Sequence, residues 1–417
     1  MTSEGSKAAG PLGMSGSVGR ILTGLRIVEL SAFVAGPLAG ATLAELGADV
    51  IRIDPPGGGI DANRWPLHEG HSLYWAGLNR GKRSVTLDST SAIGQQLVTD
   101  LIVRAGMVLT NLPVQEWMSY ERLKERRPDL IMAVISGNPD GTPAVDYTVN
   151  AAVGYPWVTG PEGSEAPVNH VLPSWDGMTG YLAAAGILSS QLHRMLTGEG
   201  QLINLSLSDV ALSFTSHLGF MAEAQLNPEP RQRYGNYIFG SFGRDFTTSD
   251  GRHLMLVALT PRQWESLVET TGLRQQLAAI EGASGLDLRL EGNRFRLRDE
   301  ISALLEPWIA ARTYERVKRL FDGGGVLWAP YQTFKELVAH DWRASSRNPM
   351  VGEIRQPGIG RHLAAGSPLA FSGFNRTPPA RAPLIGEDTR QVLESWLGLS
   401  GAEMDGLEKQ RVIDSTP

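Results

Sequence analysis

Asp176 is the residue whose type and surroundings point most directly to chemistry. It lies in the segment PSWDGMTGYLAAAG (173–186), between a tryptophan and a glycine, where a helix rich in small residues begins. The carboxylate can be an N-cap that accepts hydrogen bonds from the first amides of the helix. It can also act on a ligand held against those amides. Gly177 and Gly180 favour the ligand-binding interpretation, because each lowers helix stability by about 1 kcal/mol relative to alanine.

Three other segments contain residue types that bind phosphates, metals or helix ends. GLNRGKRS (77–84) is not a P-loop, because three residues rather than four separate its glycines and Arg83 follows Lys82. It is interpreted as a solvated turn or, alternatively, as a basic lip for a phosphorylated ligand. HEGH (68–71) lacks the i, i+4 histidine spacing of a helical zinc pair, which indicates a loop and no metal site. Asp209 is interpreted as the N-cap of the next helix.

The composition excludes several classes of protein. The 417 residues include no cysteine, which rules out disulfides, thiolate nucleophiles and iron–sulfur clusters. The net charge of −6 gives no general electrostatic footprint for nucleic acid. No apolar run reaches the ~18 residues of a membrane span, and the first residues lack the apolar core of a signal peptide. We therefore expect a soluble, cytoplasmic protein with no nucleic-acid or membrane partner.

Strand-like and helix-like segments alternate through the first half of the chain, which predicts an α/β fold with a Rossmann-like parallel sheet. The dinucleotide fingerprint G-x-G-x-x-G is absent after the first strand. A long helix is predicted over 178–196 and a strand over 201–207. The predicted strands and helices before them are 26–30, 38–48, 49–54, 84–88, 91–104, 107–111 and 130–137.

Composition shifts divide the chain further. Residues 1–21 are predicted to be a flexible arm, 22–227 the first part of a large domain, 228–325 a small α/β domain, and 326–417 a return to the large domain. In the small domain, residues 246–259 are typical of a hairpin. Thr260 and Pro261 begin a helix that ends at Gly272. The last helix is predicted over 388–397.

Six ordered blocks resemble those of the class III CoA-transferases, the CaiB/BaiF family, and the resemblance covers about residues 22–400. Asp176 falls on the catalytic aspartate of the family, and Asp388 stands where the closing motif usually has histidine. The blocks are LRIVELS…AGPLAGATLAELGADVIRID, LNRGKRSVTLD, VLTNLP…YERLKERRPDLIMAVISG, SWDGMTGYLAAAGIL, HRMLTGEGQLINLSLSDVAL and APLIGEDT.

The resemblance implies an interlocked homodimer, with a Rossmann-like large domain and a smaller domain in each subunit. It implies a CoA thioester substrate, no metal and no separate cofactor. Leu87, Asn111 and Leu112 fall on CoA-contacting positions. The chain departs from the family pattern at Val34, where glutamine is common, and at Pro55, where a basic residue is frequent. The stretch after Asn111 is shortened to LPVQEW.

Five further segments resemble those family members that move CoA between the two carboxyls of one bound dicarboxylic acid. They are SAFVAGPLAG, RWPLHEGHSLYWAGLNRGKRS, DYTVN, VNHVLP and GNYIFGSFGRDF. Val145 precedes Asp146 where the racemase branch has a histidine, which argues against two-base proton exchange. Two alternatives stay open: transfer to a separate acid, and a CoA-thioester-binding protein without catalysis.

Other residues are assigned supporting roles in this reaction. Arg244 is predicted to hold the distal carboxylate, His170 to orient the substrate, and the N–H groups near Gly177 to stabilise the oxyanion. An aromatic set is predicted to exclude water or, alternatively, to be core packing. It comprises Trp157, Trp175, Phe239 and Phe242.

Overall fold

The computed structural model describes residues 20–415. These residues form two compact units. Unit 1 comprises 20–143, 176–207 and 342–415, and unit 2 comprises 144–175 and 208–341. All but the last two residues of the predicted arm lie outside the described part.

The strands along residues 20–415 are β1 (Arg26–Leu30), β2 (Asp49–Asp54), β3 (Leu67–His68), β4 (His71–Ser72), β5 (Arg83–Thr86), β6 (Met107–Thr110), β7 (Ile131–Ser136), β8 (Leu202–Ser206), β9 (Phe242–Thr247), β10 (His253–Ala258), β11 (Leu327–Pro330), β12 (Val351–Gln356) and β13 (Gly360–Ala365). The α-helices are α1 (Ala35–Glu45), α2 (Leu73–Leu78), α3 (Ala92–Ala105), α4 (Tyr120–Arg126), α5 (Asp146–Ala152), α6 (Tyr155–Val158), α7 (Ser174–Thr197), α8 (Leu207–His217), α9 (Phe220–Leu226), α10 (Pro261–Thr271), α11 (Arg274–Ser284), α12 (Glu291–Arg296), α13 (Arg298–Ala310), α14 (Tyr314–Gly324), α15 (Phe334–His340), α16 (Thr389–Val392) and α17 (Gly401–Lys409).

A six-stranded sheet in the order β5-β2-β1-β6-β7-β8 forms the centre of unit 1. Every neighbouring pair is parallel, which confirms the predicted α/β fold. The strand order reverses between β1 and β6. Open parallel sheets bind ligands outside the carboxyl ends of the strands at such a switch point.

Side chains of β1 alternate between two cores, because successive residues of a strand point to opposite faces of the sheet. Ile27 packs among residues of α1 and α7. Val28 packs among residues of α3 and the C-terminal segment up to Ile413. Asp388 of the closing motif accepts the Ser84 N–H of β5 at 2.9 Å. The C-terminal residues from 342 onward therefore belong to unit 1.

Unit 2 contains an antiparallel sheet in the order β11-β10-β9, with one apolar core formed with α10, α13 and α14. The predicted hairpin is confirmed, although β9 begins earlier, at Phe242. Thr260 caps α10 through a reciprocal pair with Gln263, and Gly272 ends that helix with a φ of 71°.

The predicted limits of the small domain, 228–325, differ from those of unit 2. β11, at 327–330, completes the unit 2 sheet by pairing with β10. Residues 144–175 also belong to unit 2, where the Tyr155 hydroxyl lies 3.4 Å from the Thr215 hydroxyl. These pairings join residues far apart in sequence, and local composition does not encode them.

Three local predictions need correction, and one helix was not predicted. HEGH is a two-stranded hairpin, β3 and β4, with Glu69 and Gly70 at positive φ. Asp209 is not an N-cap, because α8 begins at Leu207 and places it inside the first turn. The predicted helix 388–397 is a short α16 followed by a π-helical turn, Leu393–Leu397. The capping box of Ser400 and Glu403 begins α17, which the sequence analysis missed.

None of the helices in residues 20–415 is both long and apolar enough to cross a membrane.

Candidate active site

Asp176 lies in the first turn of α7, which begins two residues earlier at Ser174. It is therefore not the N-cap of this helix. The Trp175 N–H donates to Asp146 Oδ2 at 2.7 Å, so another carboxylate takes one of the first amides of α7. Asp176 is half-buried. The N-cap interpretation fails, and the functional interpretation of Asp176 stays a prediction.

The two glycines that follow Asp176 serve different purposes. A Cβ on Gly180 would lie 2.9 Å from the Ala35 carbonyl oxygen and 3.1 Å from the Leu38 side chain, so only glycine lets α7 pack this closely on α1. A Cβ on Gly177 would meet nothing within 4 Å among the described residues. The space beside Gly177 is open on the turn that carries Asp176.

The loop between β1 and α1 is held at two consecutive residues. The Asn111 amide donates to the Ala32 carbonyl at 2.7 Å and accepts the Ala32 N–H at 2.8 Å. Both carboxylate oxygens of Asp61 accept the Phe33 N–H, at 3.1 and 3.0 Å. Phe33 has a φ of 65°, which is rare for a bulky residue and marks a shape imposed by its surroundings.

A buried ionic cluster supports Asp61. Arg52 is 1% exposed and donates to Asp54 at 3.0 Å, to Asp61 at 2.9 Å and to Asn79 at 3.1 Å. Burial alone would lower the pKa of Arg52, but the surrounding carboxylates raise it above its ordinary value. Burial raises the pKa of Asp54, which Arg52 opposes.

Lys82 belongs to the same cluster. Its ammonium donates to Glu29 and to the Pro37 carbonyl, both at 2.8 Å, and its side chain is inaccessible. Burial lowers the pKa of Lys82 to about 8, against the charge of Glu29. A Cβ on Gly40 would overlap the Glu29 carboxylate, so this glycine makes room for the cluster. The segment 77–84 is therefore neither a solvated turn nor a basic lip at Lys82.

The three predicted CoA contacts differ in accessibility. Leu87 is 1% exposed within the core, and its N–H and C=O bond to Asp54 and Ser89, so its side chain does not face a ligand. Asn111 holds Ala32, as described above. Leu112 is exposed and free of such packing. The Leu87 side chain is thus part of the core, and the CoA contacts of Leu87, Asn111 and Leu112 stay predictions.

In unit 2, Asn150 Oδ1 lies 2.9 Å from His170 Nε2 and 3.3 Å from Trp175 Nε1. His170 therefore lies beside the residue that precedes Asp176 in the chain. Asp146, which follows Val145 at the racemase position, holds the start of α7. Its carboxylate thus has a structural task.

Arg244, also in unit 2, already has partners. Its guanidinium donates to the Asp245 carbonyl at 3.0 Å and to the Tyr237 hydroxyl at 3.3 Å, and lies 4.0 Å from the Asp245 carboxylate. The aromatic set divides: Trp175 and Phe242 are buried, which fits packing, whereas Trp157 and Phe239 are exposed. The predicted roles of Arg244 and His170 in binding substrate stay predictions.

Sequence reasoning missed Asp61, Arg52, Glu29 and Lys82 as residues that shape this region. The signal was present in DVIRID (49–54), where arginine and aspartate alternate with apolar residues in a strand of a sheet covered on both faces. Parallel strands buried on both faces are usually apolar throughout. Charged side chains at such positions indicate a buried polar network.

The parallel sheet with its switch point defines a protein of the α/β class, in which ligands bind at the carboxyl ends of the strands. The sequence model of CoA-transferase family III matches residues 22–389. The chain belongs to this family, and it is an enzyme.

Among its relatives, a 2-methylfumaryl-CoA isomerase from Chloroflexus aurantiacus is 50% identical over 399 residues, 94% of this chain and 98% of that protein. A succinyl-CoA:mesaconate CoA-transferase from Haloarcula hispanica is 30% identical over 398 residues, 89% of this chain and 96% of that protein. A crystal structure of a CaiB/BaiF family protein from Brucella suis superposes with a TM-score of 0.74 at 25% identity, covering 91% of this chain and 100% of that chain.

Proposed function

We propose that the enzyme moves CoA between the C1 and C4 carboxyls of mesaconate, which is 2-methylfumarate, within one bound molecule. The observation that carries the proposal is Asp176 in the first turn of α7, beside the open face of Gly177. The 50% identity to a 2-methylfumaryl-CoA isomerase supports the choice of substrate. CoA belongs to the substrate, and the proposed reaction uses no separate cofactor or metal.

The first step is covalent. The Asp176 carboxylate attacks the thioester carbonyl at C1 of mesaconyl-CoA, forming a mixed anhydride and releasing CoA as a thiolate. The thiolate then attacks the aspartyl carbonyl, which breaks the anhydride, gives an aspartyl-CoA thioester and frees the mesaconate carboxylate. Covalent catalysis divides one difficult exchange into easier steps. N–H groups near Gly177 are the proposed donors to the oxyanion.

The second half reverses these steps with the other carboxylate. The C4 carboxylate attacks aspartyl-CoA, and the released thiolate attacks the C4 carbonyl of the new anhydride, restoring Asp176. Mesaconate kept in the site has an effective concentration far above that in solution. Water has to be excluded, since it would hydrolyse the anhydride.

Replacement of Asp176 tests the chemistry. Asp176→Ala is expected to abolish isomerisation and the CoA adduct on the peptide that carries residue 176, measured by mass spectrometry after rapid quenching. Asp100→Ala is the matched control, because that carboxylate lies on the exposed side of α3 and pairs with Arg126. Near-native turnover by Asp176→Ala would contradict the mechanism.

Transfer to a separate acid is the second candidate, supported by the succinyl-CoA:mesaconate CoA-transferase relative. Labelled free mesaconate separates the two. Conversion of C1 to C4 thioester without incorporation of label supports the intramolecular reaction, whereas stoichiometric incorporation supports transfer to a separate acid.

We also propose that the enzyme is a homodimer with interlocked subunits. Large apolar side chains on α7 are exposed in the single chain, with Met195 73% and Leu196 78% accessible. Burial of such a surface in a partner subunit is favourable. Sedimentation is expected to give twice the chain mass of 45.1 kDa at micromolar concentration. A stable monomer would contradict the proposal.

A further inference from the structure

The side chain of Arg64 rests on two aromatic rings in unit 1. Its guanidinium carbon lies 4.7 Å from the centroid of Phe33 and 5.0 Å from that of Tyr74. The Arg64 N–H donates to the Asp61 carbonyl at 3.3 Å, and the Arg64 carbonyl accepts the Ser72 hydroxyl at 2.6 Å. Since Ser72 also caps the helix that carries Tyr74, backbone and side chain of Arg64 are both fixed.

The neighbours of the Arg64 side chain differ from those of other arginines in unit 1. Arg52, Arg80 and Arg83 of the same unit each have a carboxylate within 3.5 Å. The Arg64 guanidinium instead lies against the rings of Phe33 and Tyr74, and its charge acts on the Tyr74 hydroxyl. Aromatic rings contact the face of a guanidinium and leave its N–H edge available for two parallel hydrogen bonds to a carboxylate.

The same region of unit 1 includes Asp176. Asp176 and Gly180 are four residues apart and share one face of α7, and Gly180 packs against the carbonyl of Ala35 at the start of α1. Phe33, the ring under Arg64, precedes Ala35 by two residues. The Asp176 face of α7 and the rings under Arg64 therefore converge at the start of α1.

Electrostatics supports this placement. Burial raises the pKa of Tyr74 to about 12, the charges of Asp61 and Asp176 act in the same direction, and Arg64 opposes them. A second carboxylate brought to this region with the substrate would be repelled by Asp176. A cation fixed nearby offsets that repulsion, and a guanidinium also orients the carboxylate.

We propose that Arg64 binds the free carboxylate of the acyl group while Asp176 attacks its thioester, so that the enzyme selects thioesters of short dicarboxylic acids. This inference rests on the proposed function. Arg64 contacts the carboxylate at C4 during the first half of the reaction and the carboxylate at C1 during the second. In this role Arg64 takes the place predicted from the sequence for Arg244, which already has partners in unit 2.

The test compares mesaconyl-C1-CoA with its C4 carboxamide, which has nearly the same size and shape but no negative charge. The readout is the rate of CoA adduct formation on Asp176 in a single turnover. The wild-type enzyme is expected to prefer the acid about 10- to 100-fold, the range for a hydrogen bond to a charged group. Arg64→Gln is expected to reduce this preference to less than about threefold. Arg64→Lys should retain part of this preference, since lysine keeps the positive charge but lacks the two parallel N–H donors of a guanidinium.

The ratio of the two rates is unaffected by a loss of folded enzyme, because both rates fall together. Arg104→Gln, an exposed arginine at the end of α3, is the matched control and should keep the wild-type ratio. An unchanged ratio in Arg64→Gln, or a ratio lost in Arg244→Gln instead, would overturn the inference. Absence of any adduct on wild-type Asp176 with either thioester would instead contradict the proposed function.

Discussion

Arg52 in unit 1 and Arg294 in unit 2 are both inaccessible, at 1% and 0% exposure, but they have different kinds of hydrogen-bond partner. Arg52 bonds to the carboxylates of Asp54 and Asp61 and to the Asn79 amide. Arg294 donates to three backbone carbonyls, those of Leu259, Leu288 and Arg289, at 2.7 to 3.0 Å.

The difference follows from what each arginine holds. The three carbonyls around Arg294, which we call the carbonyl clamp, require no buried anion. Through them Arg294 joins the end of β10 to the turn before α12. The Arg52 cluster includes three buried carboxylates, one of which fixes the Phe33 N–H. Buried ion pairs contribute little net stability over apolar packing, but loss of one partner leaves an unpaired charge. The ionic cluster therefore gives a defined loop shape near Asp176 rather than extra stability.

Arg52→Met is the substitution expected to have the largest effect in this comparison. We expect the free energy of unfolding to fall by about 3–5 kcal/mol, because Asp54 and Asp61 lose their shared cation in a buried place. CoA adduct formation per folded molecule should fall as well, since Asp61 no longer fixes Phe33. Urea unfolding and single-turnover mass spectrometry measure the two effects. Arg126→Met, which removes an exposed pair with Asp100, should change stability by less than about 1 kcal/mol. Equal losses in both variants would remove the contrast.

The pH dependence of stability sharpens the ionic side of the comparison. Because burial lowers the pKa of Lys82 to about 8, folded Lys82 releases its proton near that pH. In the unfolded chain, Lys82 keeps the proton up to its ordinary value of 10.5. The unfolded state therefore binds more protons between these values, and stability rises with pH there. The difference in unfolding free energy between wild type and Lys82→Met should grow by about 3 kcal/mol from pH 8 to 10.5. A difference that stays flat over this range would contradict the buried placement of the charge.

Arg294→Met examines the carbonyl clamp. We expect a loss of about 1–2 kcal/mol, because the freed carbonyls are neutral and only that of Leu288 lies deep in the core. Adduct formation per folded molecule should be unchanged, in contrast to Arg52→Met. Arg296→Met removes an exposed arginine from the same helix and serves as the control. A loss as large as that of Arg52→Met would show that the two buried arginines are equivalent.

The smallest expected effect on stability concerns the helix capping boxes, which both units contain. Thr333 and Glu336 in unit 2, and Ser400 and Glu403 in unit 1, form reciprocal capping boxes. Thr333→Ala and Ser400→Ala should each lower stability by about 1 kcal/mol. The Thr333 N–H, together with Arg252, lowers the pKa of Glu336 to about 2. Its contribution should thus be present above its ordinary value of 4.5 and be lost as the pH falls towards 2, as thermal melts at stepped pH would report. Very different losses of stability in the two variants would show that the contribution of a capping box depends on the unit that contains it.

The sequence by itself determined the features that depend on neighbouring residues. Alternation of apolar strands and helices predicted the parallel sheet, Thr260 and Gly272 predicted the limits of α10, and the glycines around Asp176 identified the turn that carries it. The ordered blocks predicted the family. These signals succeed because hydrophobic periodicity, capping and left-handed glycines act over a few residues.

The tertiary structure decided which charges are buried and what they hold. The segment of Lys82 was interpreted as a solvated turn or a basic lip, but Lys82 lies against Glu29, 53 residues earlier in the chain. Asn111 fixes Ala32 across 79 residues, and Asp61 fixes Phe33 across 28. β11 joins the unit 2 sheet although its surroundings are punctuated by proline and glycine. Charge type and local pattern do not specify such partners, because a side chain is buried only when elements distant in sequence pack around it.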